Sequence, residues 1–324
     1  MEVISRQRFV SVIVICYNES KHLELCLGAL KNQDYDSDAF EIIFIDNGST
    51  DSSVEIAKKY ANKVEIHPRL KLGGLRNLGA SLAKGEILAF IDADCEAKPQ
   101  WLASINNIYV HSLESVSGSR CLIDTTSSWV SRAFCPAREI GRFPSVSLST
   151  QNLIVPAMFF KQVGGFDESL STGEDAELCL RLAHVTPVMY DSRLEYIHHG
   201  EPADLKTFFR REVWHGLGAF GSFKVKKFDK PLIATLIYLM GFLFLSIGLI
   251  RGILGMGFGL CSLGFLLIAM VVSFSVIYRV TPRVSYLQFA QLICLYFVYF
   301  FARSISLLIL LLGAKHFYYK SRRV

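Results

Sequence analysis

Ile87-Leu88-Ala89-Phe90-Ile91 followed by Asp92-Ala93-Asp94 is the stretch whose reading decides the fold. Five apolar residues in a row, with a helical pattern and a glycine stop before them, suit a strand buried on both faces. Two carboxylates then close the strand on one tight turn. Working outward from it, Leu75 to Lys84 reads as a helix stopped by Gly85. Val64 to Ile66 reads as a short strand and Ser52 to Tyr60 as a helix, with a capping start in Ser49-Thr50-Asp51. Glu41 to Ile45 (EIIFI) is another strand, ending at Asp46, and Phe9 to Tyr17 (FVSVIVICY) is the first, followed by a helical pattern from Asn18 to about Asn32. Strands alternating with helices predict an α/β domain: a mostly parallel sheet with helices on both faces. Ligands of such sheets sit beyond the carboxyl ends of the strands, where Asp46 and Asp92 to Asp94 fall.

Downstream of that sheet, residues 113 to 150 are rich in Ser and Thr and are expected to be variable and partly mobile. Asn152 to Val155 reads as a strand, Asp175 to Ala183 as a helix and Pro187 to Tyr190 as a short strand.

The 324 residues carry a net charge of +5, unevenly spread. Residues 1 to 200 hold 19 Lys and Arg against 25 Asp and Glu; residues 201 to 324 hold 15 against 4, with no acidic residue after Asp229. An acidic first part followed by a basic, apolar one reads as a globular domain tied to a membrane, and not as a nucleic-acid binder. Positions 231–250 and 252–278 carry no charge, each long enough for a hydrocarbon core of about 30 Å. The expected membrane segments are 231–250, 256–278 and 285–313, within a membrane domain over 231–324. Before them, residues 203–230 mix aromatic and basic side chains, as a segment at lipid headgroups does; a solvated basic helix would look similar.

Lys224, Lys226, Lys227 and Lys230 precede the first span. The positive-inside rule therefore predicts a multi-pass protein of the cell (inner) membrane whose catalytic domain, residues 1–202, is cytoplasmic. Arg279 and Arg283 agree. Lys315, Lys320, Arg322 and Arg323 do not, since three full spans would carry them outside; the last segment could instead re-enter or lie in the interface. Arg303, inside that segment, is costly in lipid and could mark a break, an interface or a lipid-phosphate contact. The eight cysteines form no CxxC pair, which suits a reducing compartment, and the N-terminal MEVISRQRFV lacks the apolar run of a signal peptide.

The absence of GxGxxG after the first strand argues against hydride transfer, and the absence of GxxxxGK[ST] argues against an ATPase. Asp92 and Asp94 supply hard oxygen ligands for a Mg²⁺ or Mn²⁺ that also binds substrate phosphates, although a solvated turn often carries the same DxD pattern. Asp46, heading Asn47-Gly48-Ser49-Thr50-Asp51, could cap a turn or accept hydrogen bonds from a base or ribose.

Taken together, VSVIVICYNES, DNGSTD, GGLRNLGASLAKGEILAFIDAD and GGFDESLSTGEDAELCLRL resemble family-2 glycosyltransferases of the GT-A fold, over roughly residues 9 to 220. The resemblance implies a Rossmann-like GT-A catalytic domain followed by transmembrane helices, a nucleotide-diphosphate sugar donor and a divalent metal. It assigns the nucleobase to Asp46, ribose or metal to Asp92 and the metal to Asp94, and places Arg76 near the nucleotide; Glu19 joins these as a donor contact. Asn47 departs from the commoner DDGSTD. Gly173-Glu174-Asp175 resembles the family's ED motif, which makes Asp175 the general base beside Glu174. Both acids would equally favour a helix N-terminus through its dipole. His198 is either a further metal ligand or a satisfied structural histidine. Arg210-Arg211-Glu212-Val213-Trp214 stands where processive members carry QxxRW, which implies single-sugar addition.

The expected reaction is inverting transfer to a hydroxyl of a lipid-linked or cell-surface glycan. The alternative is a polyprenyl-phosphate acceptor, which is already anionic and needs no base. A channel or flippase component and a catalytically dead nucleotide-binding module are the remaining classes; few spans count against the first, and intact Asp46, Asp92, Asp94 and Asp175 against the second.

Overall fold

The computed structural model describes residues 7–119, 121–122, 127–139, 148–170, 172–221, 230–279 and 285–313. Lys224, Lys226, Lys227 and the basic tail fall outside these ranges. The chain forms two compact units, one of residues 1–125 with 144–201 and the other of residues 126–143 with 202–324.

The first unit is built on β1 (Val10–Cys16), β2 (Phe40–Asp46), β3 (Lys63–Ile66) and β4 (Ile87–Asp92), which run parallel in the order β3-β2-β1-β4. Every residue of β1 and β2 is buried. Val10, Val12 and Val14 face one core cluster while Ile13 and Ile15 face two others, the period-2 division of a strand covered on both sides. Helices α1 (Ser20–Lys31), α2 (Ser53–Tyr60) and α3 (Leu72–Leu82) connect these strands. The polar residues inside the strands are satisfied locally. Ser11 donates to Glu41 Oε1 at 2.7 Å, and the Lys84 and Gly85 amides donate to Glu41 and Ser11, fixing the approach to β4.

Beyond β4 the sheet turns antiparallel. A short β5 (Cys95–Ala97) and α4 (Trp101–Tyr109) come first, then β6 (Val116–Gly118). The second unit supplies α5 (Trp129–Glu139); the first resumes with β7 (Leu153–Pro156), α6 (Ala157–Gln162), α7 (Glu174–Leu182), β8 (Val188–Tyr190) and β9 (Tyr196–His198). β7 pairs antiparallel with β4 and with β6, and β8 runs parallel to β6. β5 and β9 form a separate antiparallel pair. Residues 113–150, expected as a variable region, thus contribute a sheet strand and a helix, and the described part of that region is structured. The reason is a polar network hidden from composition: buried Asn152 accepts from Trp101 Nε1 (3.0 Å) and donates to Ser119 Oγ (2.7 Å) and the Leu194 carbonyl (2.8 Å). It ties α4, the turn before β7 and the approach to β9 together.

The second unit holds α5, α8 (Leu205–Gly221), α9 (Lys230–Ile253), α10 (Gly259–Arg279) and α11 (Tyr286–Leu311). α9, the part of α10 from Gly259 to Tyr278, and α11 are long and apolar enough to cross a membrane. α9 and α10 pack backbone to backbone: a Cβ on Gly264 would lie 2.5 Å from the Gly241 carbonyl oxygen, and one on Gly248 would collide with the Cys261 nitrogen. Small residues at such crossings replace the hydrophobic drive that lipid removes. α11 meets α5 and α8 through Phe134, Phe208, Tyr296 and Tyr299. Arg303, left open between three roles by the sequence, donates to Glu212 of α8 at 2.9 Å and lies over the Tyr299 ring at 4.9 Å. Both charged groups are buried and neutralise one another, while Arg303 Nε has no hydrogen-bond partner among the described residues.

Candidate active site

The tips of β2, β1 and β4 lie side by side. Cys16 is in register with Asp46, and Ile15 with Asp92, so two strand spacings, about 10 Å, separate the two aspartates across the sheet. The loops after β1 and β2 are stitched together. Asn18, in the left-handed region at φ 52°, accepts from the Thr50 amide at 2.7 Å and donates its own amide to Ser49 Oγ at 2.8 Å. Asn tolerates that conformation better than most side chains. Asp51 accepts from the Ser20 amide and from Ser53, and these hydrogen bonds overcome the burial that opposes them, holding its carboxyl down at about 2. Asp46 is fully buried, accepting from the Gly48 and Ser49 amides at 2.8 and 2.7 Å and from Ser49 Oγ at 2.5 Å. It builds the turn that the Gly48-Ser49 sequence suggested.

Arg76 is the hinge of the acidic cluster. It projects from α3, is 4% exposed, and donates to Asp92 Oδ1 (2.9 Å) and to Glu174 Oε1 (2.6 Å). Phe166, from the Gly-Gly-Phe-Asp segment, lies under its guanidinium at 5.7 Å and packs on Phe90 and Phe160. A planar fork between two carboxylates is what Arg offers and Lys does not. Arg76, expected beside the nucleotide, therefore also has a structural role, locking the tip of β4 to the first turn of α7.

That first turn carries Glu174, Asp175 and Glu177, three acids at a helix N-terminus, where the dipole favours them. Glu174 is spent on Arg76. Asp175 has one oxygen on the Ala176 amide (2.7 Å) and remains partly exposed. Burial, reinforced by the neighbouring Glu174 charge, raises its carboxyl to about 6. It is a carboxylate poised close to neutral pH.

Asp94 sits on the other side of the β4 turn. The β5–β9 pair puts Cys95 opposite His198, so His198 Nε2 reaches Asp94 Oδ2 at 3.1 Å, while its Nδ1 meets Glu201 at 2.9 Å. Burial disfavours a charged ring there, but the two carboxylates outweigh it and raise His198 to about 10. Burial also works against the Asp94 charge, yet His198 holds that carboxyl below its usual range; burial and the Asp94 charge push Asp92 up against the pull of Arg76. Gly200 leaves room for this arrangement, since a Cβ there would collide with Asp94 Oδ2. His199 pairs with Glu96 (2.8 Å) and stacks on His22, which in turn holds Glu19 at 2.5 Å.

Ligand atoms of Asp94, Cys95 and His198 all lie within 4.8 Å of one another. The Cys95 thiol is driven well up by burial and donates to Asp94 Oδ1, so it is a poor ligand. Carboxylate oxygen with one imidazole suits Mn²⁺ and Mg²⁺ better than a thiolate metal. Asp94 therefore supplies carboxylate oxygens that fit a hard divalent cation, and His198 joins as a donor only when the cation displaces the proton that its ring holds between Asp94 and Glu201.

The structure thus draws Asp92, Arg76, Glu174 and Asp175 into one cluster, with Asp94, His198 and Glu201 on the adjoining turn. Asp46 and Glu19 sit at neighbouring loops; among the described residues no hydrogen bond joins either to that cluster. Glu201, Glu96 and Gln151, whose amide lies 3.1 Å from His198 Nε2, escaped sequence reading. Only the spacing of His198 and Glu201, three residues apart, was available as a signal.

Residues 11–133 match the model of Glycosyl transferase family 2. Glycosyltransferase AglE of Haloferax volcanii is 30% identical over 178 residues, 52% of this chain and 59% of that protein. The putative glycosyltransferase EpsH of Bacillus subtilis is 39% identical over 97 residues, 28% of each chain. The chain therefore spans little more than half of the first relative and about a quarter of the second. Among solved structures, mannosyltransferase PcManGT from Pyrobaculum calidifontis, in complex with GDP-Man and Mn²⁺, superposes with a TM-score of 0.59 at 17% identity, covering 92% of this chain and 86% of that one. S. aureus TarS 1–349 in complex with UDP gives 0.50 at 16% identity, over 90% of each chain. At these identities the structures establish the fold, which is GT-A-like. Residues 11–133 are thus similar to family-2 glycosyltransferases, and three apolar helices follow in the C-terminal part of the chain.

Proposed function

We propose that this protein is an inverting, metal-dependent glycosyltransferase that moves one sugar from a nucleotide-diphosphate donor to a hydroxyl of a lipid-linked or cell-surface glycan. The observation that carries the reading is Asp175: a carboxylate raised to about 6, partly exposed, on a helix turn that the Glu174–Arg76–Asp92 chain ties to the tip of β4. A hydroxyl is a weak nucleophile. Asp175 takes its proton as the oxygen attacks the anomeric carbon, the bond to the diphosphate breaks, and the configuration inverts. A divalent cation at Asp94 and His198, with Asp92 beside it, would neutralise the departing diphosphate. Asp46, Arg76 and Glu19 are the proposed donor contacts, through the loops they build. The relatives' names and the GDP-Man and Mn²⁺ in PcManGT support this direction. The base favours a hydroxyl acceptor over a phosphate.

A panel of nucleotide-sugar donors on the detergent-solubilised chain tests the reading. Release of nucleoside diphosphate should depend on one donor class and rise with Mn²⁺ or Mg²⁺. Release from none, with the protein folded, would refute it.

A further inference from the structure

We propose that α11 lies in the plane of the membrane interface, that only the α9–α10 hairpin crosses the bilayer, and that the apolar stripe of α11 is a lipid-binding surface. Three observations carry this. First, α11 is covered differently from the other two helices. Half of its most apolar window is buried by protein, against 22% and 28% for α9 and α10. Between its ends its exposed large residues are Phe289, Ile293, Phe297, Phe301 and Leu308, of which Phe297 and Phe301 also touch Tyr238 and Phe242 of α9. At 100° per residue these fall within a fan of about 120°. Leu292, Leu295, Tyr299, Ala302 and Ser306 occupy the opposite, buried side. Beyond residues 285–290, which are exposed all round, α11 shows one apolar stripe and a packed back, an arrangement that a helix lying on a bilayer can adopt.

Second, α8 is bound to the C-terminal half of α11. Glu212 pairs with Arg303, Ser306 donates to the Val213 carbonyl at 2.8 Å, and Gly216 lies so close that a Cβ would meet Ser306 Oγ. The outward face of α8 presents Lys206, Thr207 and Arg210, all exposed. If α11 stood upright, Arg303, 17 residues beyond Tyr286, would lie about 26 Å along its axis, close to the far side of a core of about 30 Å. α8 would have to accompany it, carrying a charged face into hydrocarbon before the chain reaches its first span. With α11 in plane, its stripe enters the acyl boundary while α8 stays on the watery side.

Third, the charges agree. Two crossings return Lys230, Arg279, Arg283 and the basic run Lys315 to Arg323 to one side, as the positive-inside rule asks. Three crossings would strand that run on the other.

Depth measurement by nitroxide labels tests the proposal in liposomes of phosphatidylcholine and phosphatidylglycerol. Labels are placed on the full chain through Phe289→Cys and Leu308→Cys, with the native cysteines replaced by Ala. An in-plane helix puts both at one shallow depth, within about 5 Å; an upright one separates them by about 28 Å, which would overturn it. The wild-type chain gives a second reading without any substitution. In sealed vesicles of known orientation, trypsin should cut at Lys320 and Arg322 from the face that also exposes the N-terminal domain. Cleavage from the opposite face alone would overturn the topology. Neither readout involves sugar transfer, so the topology and the enzymatic reading stand or fall separately.

Discussion

Replacing Asp175 by Asn is expected to lower sugar transfer by about 10²–10⁴-fold while leaving donor affinity within a few-fold of wild type. The amide keeps the size of the side chain but has no basic oxygen of comparable strength. Asp175 makes no ion pair among the described residues, so the Arg76 bridge between Asp92 and Glu174 survives the change. The sign of the pH dependence follows from the raised carboxyl. Asp175 acts as a base only when deprotonated, and its pKa is raised to about 6. Transfer should therefore be at its plateau above about pH 7 and fall about tenfold per unit below 6, a limb that the Asn variant lacks. Steady-state rates between pH 5 and 8, with equilibrium binding of the donor in parallel, give both numbers. A variant with wild-type transfer would shift the reading to a phosphate acceptor. A variant that loses donor binding would make Asp175 a nucleotide contact.

Asp94→Ala should remove metal stimulation of nucleoside diphosphate release, with a loss on the order of 10²-fold or more, because the cation is the main positive charge available to a leaving diphosphate. The change also frees His198 from one of its two carboxylates, leaving Glu201 to hold the ring. The fold should survive, since Asp94 contributes one side chain on a turn and the β5–β9 backbone pairing is independent of it. Rates measured across a Mn²⁺ titration check this: wild type should rise and saturate, and the variant should stay flat. An unchanged titration would take the cation away from Asp94.

The sequence made the parallel half of the sheet legible because β1, β2 and β4 are buried on both faces and therefore read as unbroken apolar runs. The strand tips followed from the same runs, and with them Asp46, Asp92 and Asp94. The Asp175 helix was legible too, since Glu174 and Asp175 suit a helix N-terminus. What lay hidden was the part built from long-range pairs. β6 has three residues, too short to show a period, and the helix from Ala157 to Gln162 is a single turn and a half of mixed composition. The Trp101–Asn152 network joins residues 51 apart, and the Arg76–Glu174 pair residues 98 apart. Arg303 was legible as an anomaly, but its partner was not, because Glu212 looked like one more charge on a basic helix.

The central claim is that the carboxylates at the strand tips gather a cation and a sugar nucleotide in one place. Pulsed EPR of Mn²⁺ added with nucleoside diphosphate tests it most directly. The account predicts a manganese centre coupled to phosphorus in the wild-type chain, and loss of that centre in Asp94→Ala. Equal Mn²⁺ binding and equal phosphorus coupling in the two chains would contradict it.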